Sequence, residues 1–267
     1  MSERYRLDGK VAIVTGCASG VGESVAKLFA DQGAEVLAVD INKDGLESAM
    51  QGVANVVSLT QDVTINGAED KIIREVIENF GQVDIVVNNA GRVIYAELDE
   101  LTDEIWNTHL DLNVTAAMRL CRSAAPELKK RPFGRIVNIG SAVTLRSSPG
   151  LAAYTASKNA LEGFTRVLSQ ELLPNITANC IHPGNILSGM TIPLMEEDPS
   201  LKERYESFSP MGRQALPADI SHAALFLCLE ASGYINGIGL NVDGGYVACG
   251  LRSNSLKSGS SKASGLA

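Results

Sequence analysis

Tyr154 and Lys158 lie four residues apart in the run Tyr154-Thr155-Ala156-Ser157-Lys158. In a helix that spacing puts a phenol and an ammonium on one face, a turn apart. Just upstream, Arg135-Ile136-Val137-Asn138-Ile139 reads as a buried strand ending at Gly140-Ser141. A hydroxyl at a strand end, a phenol and an ammonium meeting in one crevice can move a proton to or from an oxygen beside a reacting carbon. Everything else in the chain has to be asked whether it brings these three together.

The elements alternate. Val11-Ala12-Ile13-Val14-Thr15 has the continuity of a buried strand, and Val21 to Gln32 follows with helical spacing until Gly33 stops it. Further strands are expected at Val36 to Val39, Val56 to Leu59, Val83 to Val87, Ile176 to Ile181 and Ile238 to Val242. Helices are expected at Ala68 to Phe80, Leu151 to Leu172 and from Pro217 onward, with one extended helix from Thr102 to Lys130. Strands separated by helices predict an α/β, doubly wound and mostly parallel sheet of seven strands, with helices on both faces. No break in composition divides it, so residues 1–250 read as one domain and 251–267, Ser/Gly/Lys-rich, as a disordered or vector-derived tail. A stretch of about 185–212, with Pro193, Pro199 and Pro210, lacks periodicity and reads as a lid loop.

Composition narrows the partners. The 267 residues are 45% hydrophobic and 20% charged, which suits a globular protein with a full core. A formal charge of −8 argues against nucleic acid or an anionic membrane surface as partner. The five cysteines are scattered without a CxxC pair, the pattern of reduced thiols in a cytoplasmic protein rather than a disulfide frame. His109, His182 and His222 show no metal-ligand spacing, so no metal is expected. The chain shows no apolar leader and no window of membrane-spanning length, so no membrane role is expected.

The first strand runs into Thr15-Gly16-Cys17-Ala18-Ser19-Gly20-Val21-Gly22. Glycines let a backbone turn tightly and approach a pyrophosphate, and a helix N-terminus adds free N–H groups and a positive dipole end. The spacing is G-x-x-x-G-x-G, not the common G-x-G-x-x-G. Asp40 closes the second strand 18 residues past Gly22, where a carboxylate can accept both ribose hydroxyls of an adenosine. The same charge repels a 2′-phosphate, and Lys43 is the first cation after it, so NAD is favoured over NADP. Asp62-Val63, Asn88-Asn89-Ala90-Gly91, Ser141 and Pro183-Gly184 fall at further strand ends. In an open parallel sheet those ends share one edge, and ligands sit outside it.

This ordered set resembles the short-chain dehydrogenase/reductase family, in its shorter single-domain branch, over about residues 7–247. The resemblance rests on T-G-x-x-x-G-x-G at Thr15 to Gly22, N-N-A-G at Asn88 to Gly91, Asn113, Ser141, Tyr154-x-x-x-Lys158 and Pro183-Gly184. It departs in a small way at Ser188, where the family more often has Thr. It implies a Rossmann-type NAD(P)(H) oxidoreductase, usually a homotetramer, acting on an alcohol/carbonyl pair; with Asp40 favouring NAD, the expectation is an NAD(H)-dependent enzyme that interconverts a secondary alcohol and a ketone. It also implies cofactor contacts from Gly16, Ser19, Gly20, Val21, Gly22, Asp40, Ile41, Asp62, Val63, Asn89, Ala90, Gly91, Tyr154, Lys158, Pro183, Gly184, Ile186 and Ser188. Asn113, Ser141, Tyr154 and Lys158 would be catalytic, with Asn113 holding a water of a proton relay.

A free tyrosine has a pKa near 10, so a base near pH 7 needs about 4 kcal/mol of shift. An ammonium about 5 Å away contributes roughly 3 kcal/mol at an effective dielectric near 20, so Lys158 is expected to supply most of it. Ser141 would hydrogen-bond the reacting oxygen. The apolar part of the lid, Ile186 to Met195, together with Val93, Ile94, Val143 and Leu145, points to an uncharged, fairly hydrophobic small-molecule substrate; Arg92 and Arg146 follow motif segments from which they could reach an anionic substrate, but are expected at the surface. Competing readings are a 3-oxoacyl-thioester reductase, a nucleotide-sugar epimerase or dehydratase, and a non-catalytic cofactor sensor. Reductive biosynthesis usually favours NADPH, which Asp40 disfavours. The glycine spacing and the lack of a second substrate domain disfavour the epimerase, and the intact Ser141, Tyr154 and Lys158 disfavour the sensor.

Overall fold

Strands with continuous aliphatic runs must be covered on both faces, and here they are. The computed structural model describes residues 5–187 and 192–249, apart from the side chains of Pro193 and Leu194. Its strands are β1 (Val11–Thr15), β2 (Glu35–Asp40), β3 (Val56–Thr60), β4 (Ile85–Asn88), β5 (Gly134–Ile139), β6 (Ile176–Pro183) and β7 (Gly239–Val242). They form one sheet in the order β3-β2-β1-β4-β5-β6-β7, and every pairing is parallel. The helices are α1 (Gly20–Asp31), α2 (Lys43–Met50), α3 (Ala68–Phe80), α4 (Asp103–Leu110), α5 (Ala116–Leu128), α6 (Ala152–Glu171), α7 (Ile192–Glu197), α8 (Ser200–Phe208), α9 (Pro217–Cys228) and α10 (Tyr246–Cys249). The doubly wound sheet predicted from the alternation, Rossmann-type as the resemblance implies, is the one observed.

Alternate residues of each strand go to opposite layers. Ala12 and Val14 of β1 pack with Val25 and Phe29 of α1, Leu46 of α2 and Ile220, Ala224 and Leu227 of α9. Val11 and Ile13 pack the other way, with Ile72 and Val76 of α3, Leu120 and Ala124 of α5 and Leu168 of α6. The strand order reverses between β1 and β4, so the chain leaves a crevice beyond their carboxyl ends. The glycine turn after β1 and the Asn89-Ala90-Gly91 segment after β4 both open onto it.

Three expectations needed correction. The extended helix of 102–130 is α4 and α5 joined by a π-helical turn at Asp111–Thr115, which carries Asn113. The 185–212 stretch is not a loop throughout, since α7 and α8 lie within it. Its prolines start helices rather than prevent them: Pro193 is the second residue of α7 and Pro199 the N-cap of α8. Helix α2 was not foreseen, because only Leu46, Ala49 and Met50 of its eight residues are buried, too short a stripe to show a period. No helix among the described residues is long and apolar enough to cross a membrane. The tail of 251–267 lies outside the described residues.

Candidate active site

The crevice beyond β1 and β4, where the cofactor is expected, is built by backbone fit. Gly16 takes φ of 75°, in the left-handed region that favours glycine. A Cβ there would stand 2.7 Å from Asn89 Nδ2, and one on Gly22 would collide with the Gly16 carbonyl oxygen. The turn therefore presses against α1 and against the segment after β4, as a bound dinucleotide would require. Asn89 clips the two turns: its Nδ2 donates to the carbonyls of Thr15 (2.9 Å) and Gly16 (3.1 Å). In return, the Thr15 hydroxyl oxygen accepts the N–H groups of Asn89 (3.1 Å) and Ala90 (3.0 Å). Ser19 is the N-cap of α1 in extended conformation, and Gly20, Val21 and Gly22 form the first turn whose N–H groups face the crevice end.

A cleft of about 520 Å³ continues from there, lined by Gly16, Asp40, Ile41, Asp62, Val63 and Gly91 among others. Asp40 is half-buried, and its oxygens accept the N–H groups of Ala18 (2.9 Å) and Asn42 (2.8 Å). Each oxygen keeps a further lone pair for a ribose hydroxyl. Asp62 is held by the N–H and hydroxyl of Thr64 (2.8 and 2.7 Å). These residues fit an adenine dinucleotide: a glycine cradle for the pyrophosphate, a carboxylate for the ribose and an apolar wall from Ile41 and Val63. Lys43, the first cation past Asp40, lies 3.8 Å from Glu47 instead. Ala90 lines the same cleft, Pro183 and Gly184 line the neighbouring one, and Ile186 bridges to Ala215. Ser188 lies outside the described residues.

Ser141, Tyr154 and Lys158, the trio expected to handle the proton, are positioned by β5 and α6. Ser141 follows β5 directly, and its hydroxyl oxygen accepts the Val143 N–H at 3.3 Å as the chain turns. Tyr154 and Lys158 lie in the first two turns of α6. Lys158 is buried, and its ammonium donates to the carbonyl of Ile139, the last residue of β5, at 2.8 Å. That nitrogen stands 5.7 Å from the centre of the Tyr154 ring and 3.4 Å from where a Cβ on Gly91 would be.

The acid–base balance differs from the expectation. In the free chain burial raises the Tyr154 phenol, with a hydrogen bond to Ser141 pulling it down and Tyr95 pushing it up. A phenol already made acidic by Lys158 is not what the chain holds. The reason is solvation: the ammonium sits in the same dry crevice, and burial lowers Lys158 to about 8. At pH 7 the pair therefore stands as a neutral phenol and a charged amine.

Asn113 is buried, not facing solvent. Its Oδ1 accepts the Arg92 N–H (3.1 Å), and its Nδ2 donates to the Arg92 carbonyl (3.2 Å) and to Ser157 Oγ (3.0 Å). It thus straps the segment after Gly91 onto α6, and a water relay would have to use the second lone pair of Oδ1. His109 is also structural: its Nδ1–H donates to the Ile105 carbonyl (2.8 Å), Nε2 accepts the Ile94 N–H (3.0 Å), and its ring meets Tyr154 edge-on at 6.1 Å.

Beyond Ser141 lies a second cleft, of about 770 Å³. Val143, Leu151 and Phe208 give it an apolar wall. Arg146, expected at the surface, is half-buried in its lining, stacked 4.8 Å from the centre of the Tyr246 ring. Tyr95, Arg204, Tyr205 and Tyr246 also line it and were not singled out from the sequence. Tyr95 had a signal, four residues past the Asn-Asn-Ala-Gly motif; Arg204 and Tyr205 lie on α8, hidden in a stretch read as loop, and Tyr246 opens the short α10 after β7.

Residues 16–247 match the family profile described as enoyl-(acyl carrier protein) reductase. The chain belongs to the short-chain dehydrogenase/reductase family. Among its relatives is a 3-oxoacyl-(acyl-carrier-protein) reductase of Chlamydia muridarum, 38% identical, with 90% of this chain and 98% of that protein covered. A 2-dehydro-3-deoxy-D-gluconate 5-dehydrogenase of Dickeya dadantii is 33% identical over 91% and 98% of the two chains. An NAD-dependent glycerol dehydrogenase of Listeria innocua is 32% identical over 91% and 95%. A crystal structure of gox2181 superposes with a TM-score of 0.86 at 32% identity, covering 91% of this chain and 98% of that one. As a short-chain dehydrogenase/reductase the protein is an oxidoreductase of alcohol and carbonyl groups that uses a nicotinamide cofactor.

The buried lysine has a measurable consequence. Its pKa falls on folding from 10.5 to about 8, so between those values the unfolded chain binds more protons and stability rises with pH. Chemical denaturation of the parent and of Lys158→Met at pH 8 and pH 10 should show the parent gaining on the variant by about 2 kcal/mol. An unchanged difference between the two proteins would mean that the ammonium is not desolvated.

Proposed function

We propose that this short-chain dehydrogenase/reductase interconverts a small secondary alcohol and its ketone with NAD(H), Tyr154 acting as the general acid/base. The carrying observation is the buried Lys158 ammonium, bound to the end of β5 and 5.7 Å from the Tyr154 ring beside Ser141. The dinucleotide would be held by the glycine turn, Asp40, Asp62, Val63 and Gly91, and supplies the hydride acceptor or donor. In reduction, the neutral phenol of Tyr154 gives its proton to the carbonyl oxygen. Ser141 donates a hydrogen bond to the same oxygen as negative charge builds on it. In the other direction Tyr154 must first lose its proton, which burial opposes; the charged amine of Lys158 favours the phenolate electrostatically. Asn113 and His109 keep the walls in register, and Leu151 and Phe208 exclude water from the reacting side.

Asp40 supports NAD over NADP, because a 2′-phosphate would meet a carboxylate already fixed by two backbone N–H groups. A second reading, a 3-oxoacyl-thioester reductase, is favoured by the 38% identity to the Chlamydia muridarum enzyme. The body of the substrate rests on the apolar wall of the larger cleft. The protein is further read as a homotetramer, since Trp106 on α4 and Val167 on α6 are exposed apolar side chains on the helices expected to pair between subunits.

Tyr154→Phe should lower turnover by about 10² to 10⁴-fold while NADH still binds by fluorescence titration; near-parental turnover removes Tyr154 from the mechanism. In the parent, kcat/KM should be clearly higher with NAD than with NADP. Asp40→Ala should shrink that ratio by about tenfold or more, the weight of a charge-assisted hydrogen bond. A parent that prefers NADP refutes the cofactor assignment. Light scattering at micromolar concentration should return four times the chain mass, and a monomer contradicts the assembly.

A further inference from the structure

The larger cleft holds two arginines that lack a carboxylate partner among the described residues. Its third, Arg213, is bridged to both oxygens of Asp219 at 2.7 and 3.1 Å. Arg146 is half-buried, stacked on Tyr246, and spends Nη1 on the Tyr246 carbonyl at 3.3 Å. No other side-chain hydrogen bond occupies that guanidinium among the described residues. Arg204 stands on the exposed side of α8 and lies near enough to Tyr95 to pull its phenol down against burial. Tyr95 in turn acts on Tyr154. Both arginines line the cleft that opens at Ser141.

Net charge does not explain them. Three arginines face Glu97, Asp219 and Asp243 in the lining, so the formal charges cancel and no broad field draws anions in. What differs is which groups are already taken. Both oxygens of Asp243 accept backbone N–H groups, from Gly245 and Val247, each at 2.9 Å. Glu97 sits beside Gly150, within ion-pair distance of neither arginine among the described residues. A guanidinium partly removed from water is costly without an acceptor, and its planar fork matches a carboxylate or phosphate.

Resting on the reading that Ser141 and Tyr154 face the reacting carbon, we infer that the substrate also carries an anionic oxygen group, carboxylate or phosphate, received by Arg146 and Arg204. This replaces the uncharged substrate expected from the lid's apolar residues: Val143, Leu151 and Phe208 hold the carbon skeleton, and the arginines hold its charged end. The cleft, about 770 Å³, suits a small molecule with both parts.

The test compares matched probes at constant ionic strength, titrated into the NADH complex and, by calorimetry, into the free chain. One pair is 4-oxopentanoate and its methyl ester; the other is hydroxyacetone phosphate and hydroxyacetone, which separates phosphate from carboxylate recognition. The anionic member of at least one pair should bind at least about tenfold tighter, the weight of a charge-assisted contact. Arg204→Gln and Arg146→Gln should each remove most of that preference, whereas Lys202→Gln, on the same helix but outside the lining, should keep it. Arg204→Gln alters an exposed side chain, so it carries the test even if Arg146→Gln disturbs the Tyr246 stack. Equal binding within both pairs, or a preference that survives both arginine variants, overturns the inference. A preference that falls equally in Lys202→Gln also overturns it, by showing a general charge effect. Failure to bind NADH refutes the cofactor reading instead and leaves the free-chain comparison standing.

Discussion

A single hydrogen bond, from the Lys158 ammonium to the Ile139 carbonyl, sets the geometry on which the site depends. Ile139 ends β5 and Ser141 follows two residues later, so the bond ties the first turns of α6 to the strand end that carries the hydroxyl. Because the nitrogen is buried, it cannot trade this carbonyl for water without loss. Desolvation depresses the amine to about 8, and the hydrogen bond to Ile139 holds it 5.7 Å from the centre of the Tyr154 ring.

Deeper in the sheet, a second set of polar contacts fixes the same helix. Asn88 of β4 donates to Asn138 of β5 at 2.7 Å, and Asn138 donates to Thr165 of α6 at 2.8 Å. All three side chains are buried, and each contact is satisfied, so the chain of amides acts as a ruler rather than a liability. The first asparagine of the Asn-Asn-Ala-Gly motif thus aligns the interior, while the second, Asn89, clips the glycine turn. One motif ties both the glycine turn after β1 and the strand that leads to Ser141.

The parts legible in the sequence were those that repeat or that need glycine. Periods of two and of three to four residues located the sheet and the main helices, and the turn from Gly16 to Gly22 announced a close backbone approach. The π-helical turn at Asn113 was illegible, because inserting a residue into a helix leaves the hydrophobic stripe almost unchanged. Helix α8 was hidden by Lys202, Glu203, Arg204 and Glu206, whose charges mask any apolar period. The direction of the Tyr154 shift was missed because residue spacing reports neighbours but not dryness, and dryness dominates here. Arg146 was taken for a surface residue because nothing local marks the ring of Tyr246, 100 positions later, as its platform.

That platform belongs to a row of rings. Tyr205 and Phe208 of α8 stand 6.2 Å apart, and Phe208 stands 5.8 Å from Tyr246 at the start of α10. The cover of the larger cleft therefore leans on the last helix of the described chain rather than on the sheet beneath it. Shortening α10 would take away the ring against which both Phe208 and Arg146 rest, and so loosen that side of the cleft.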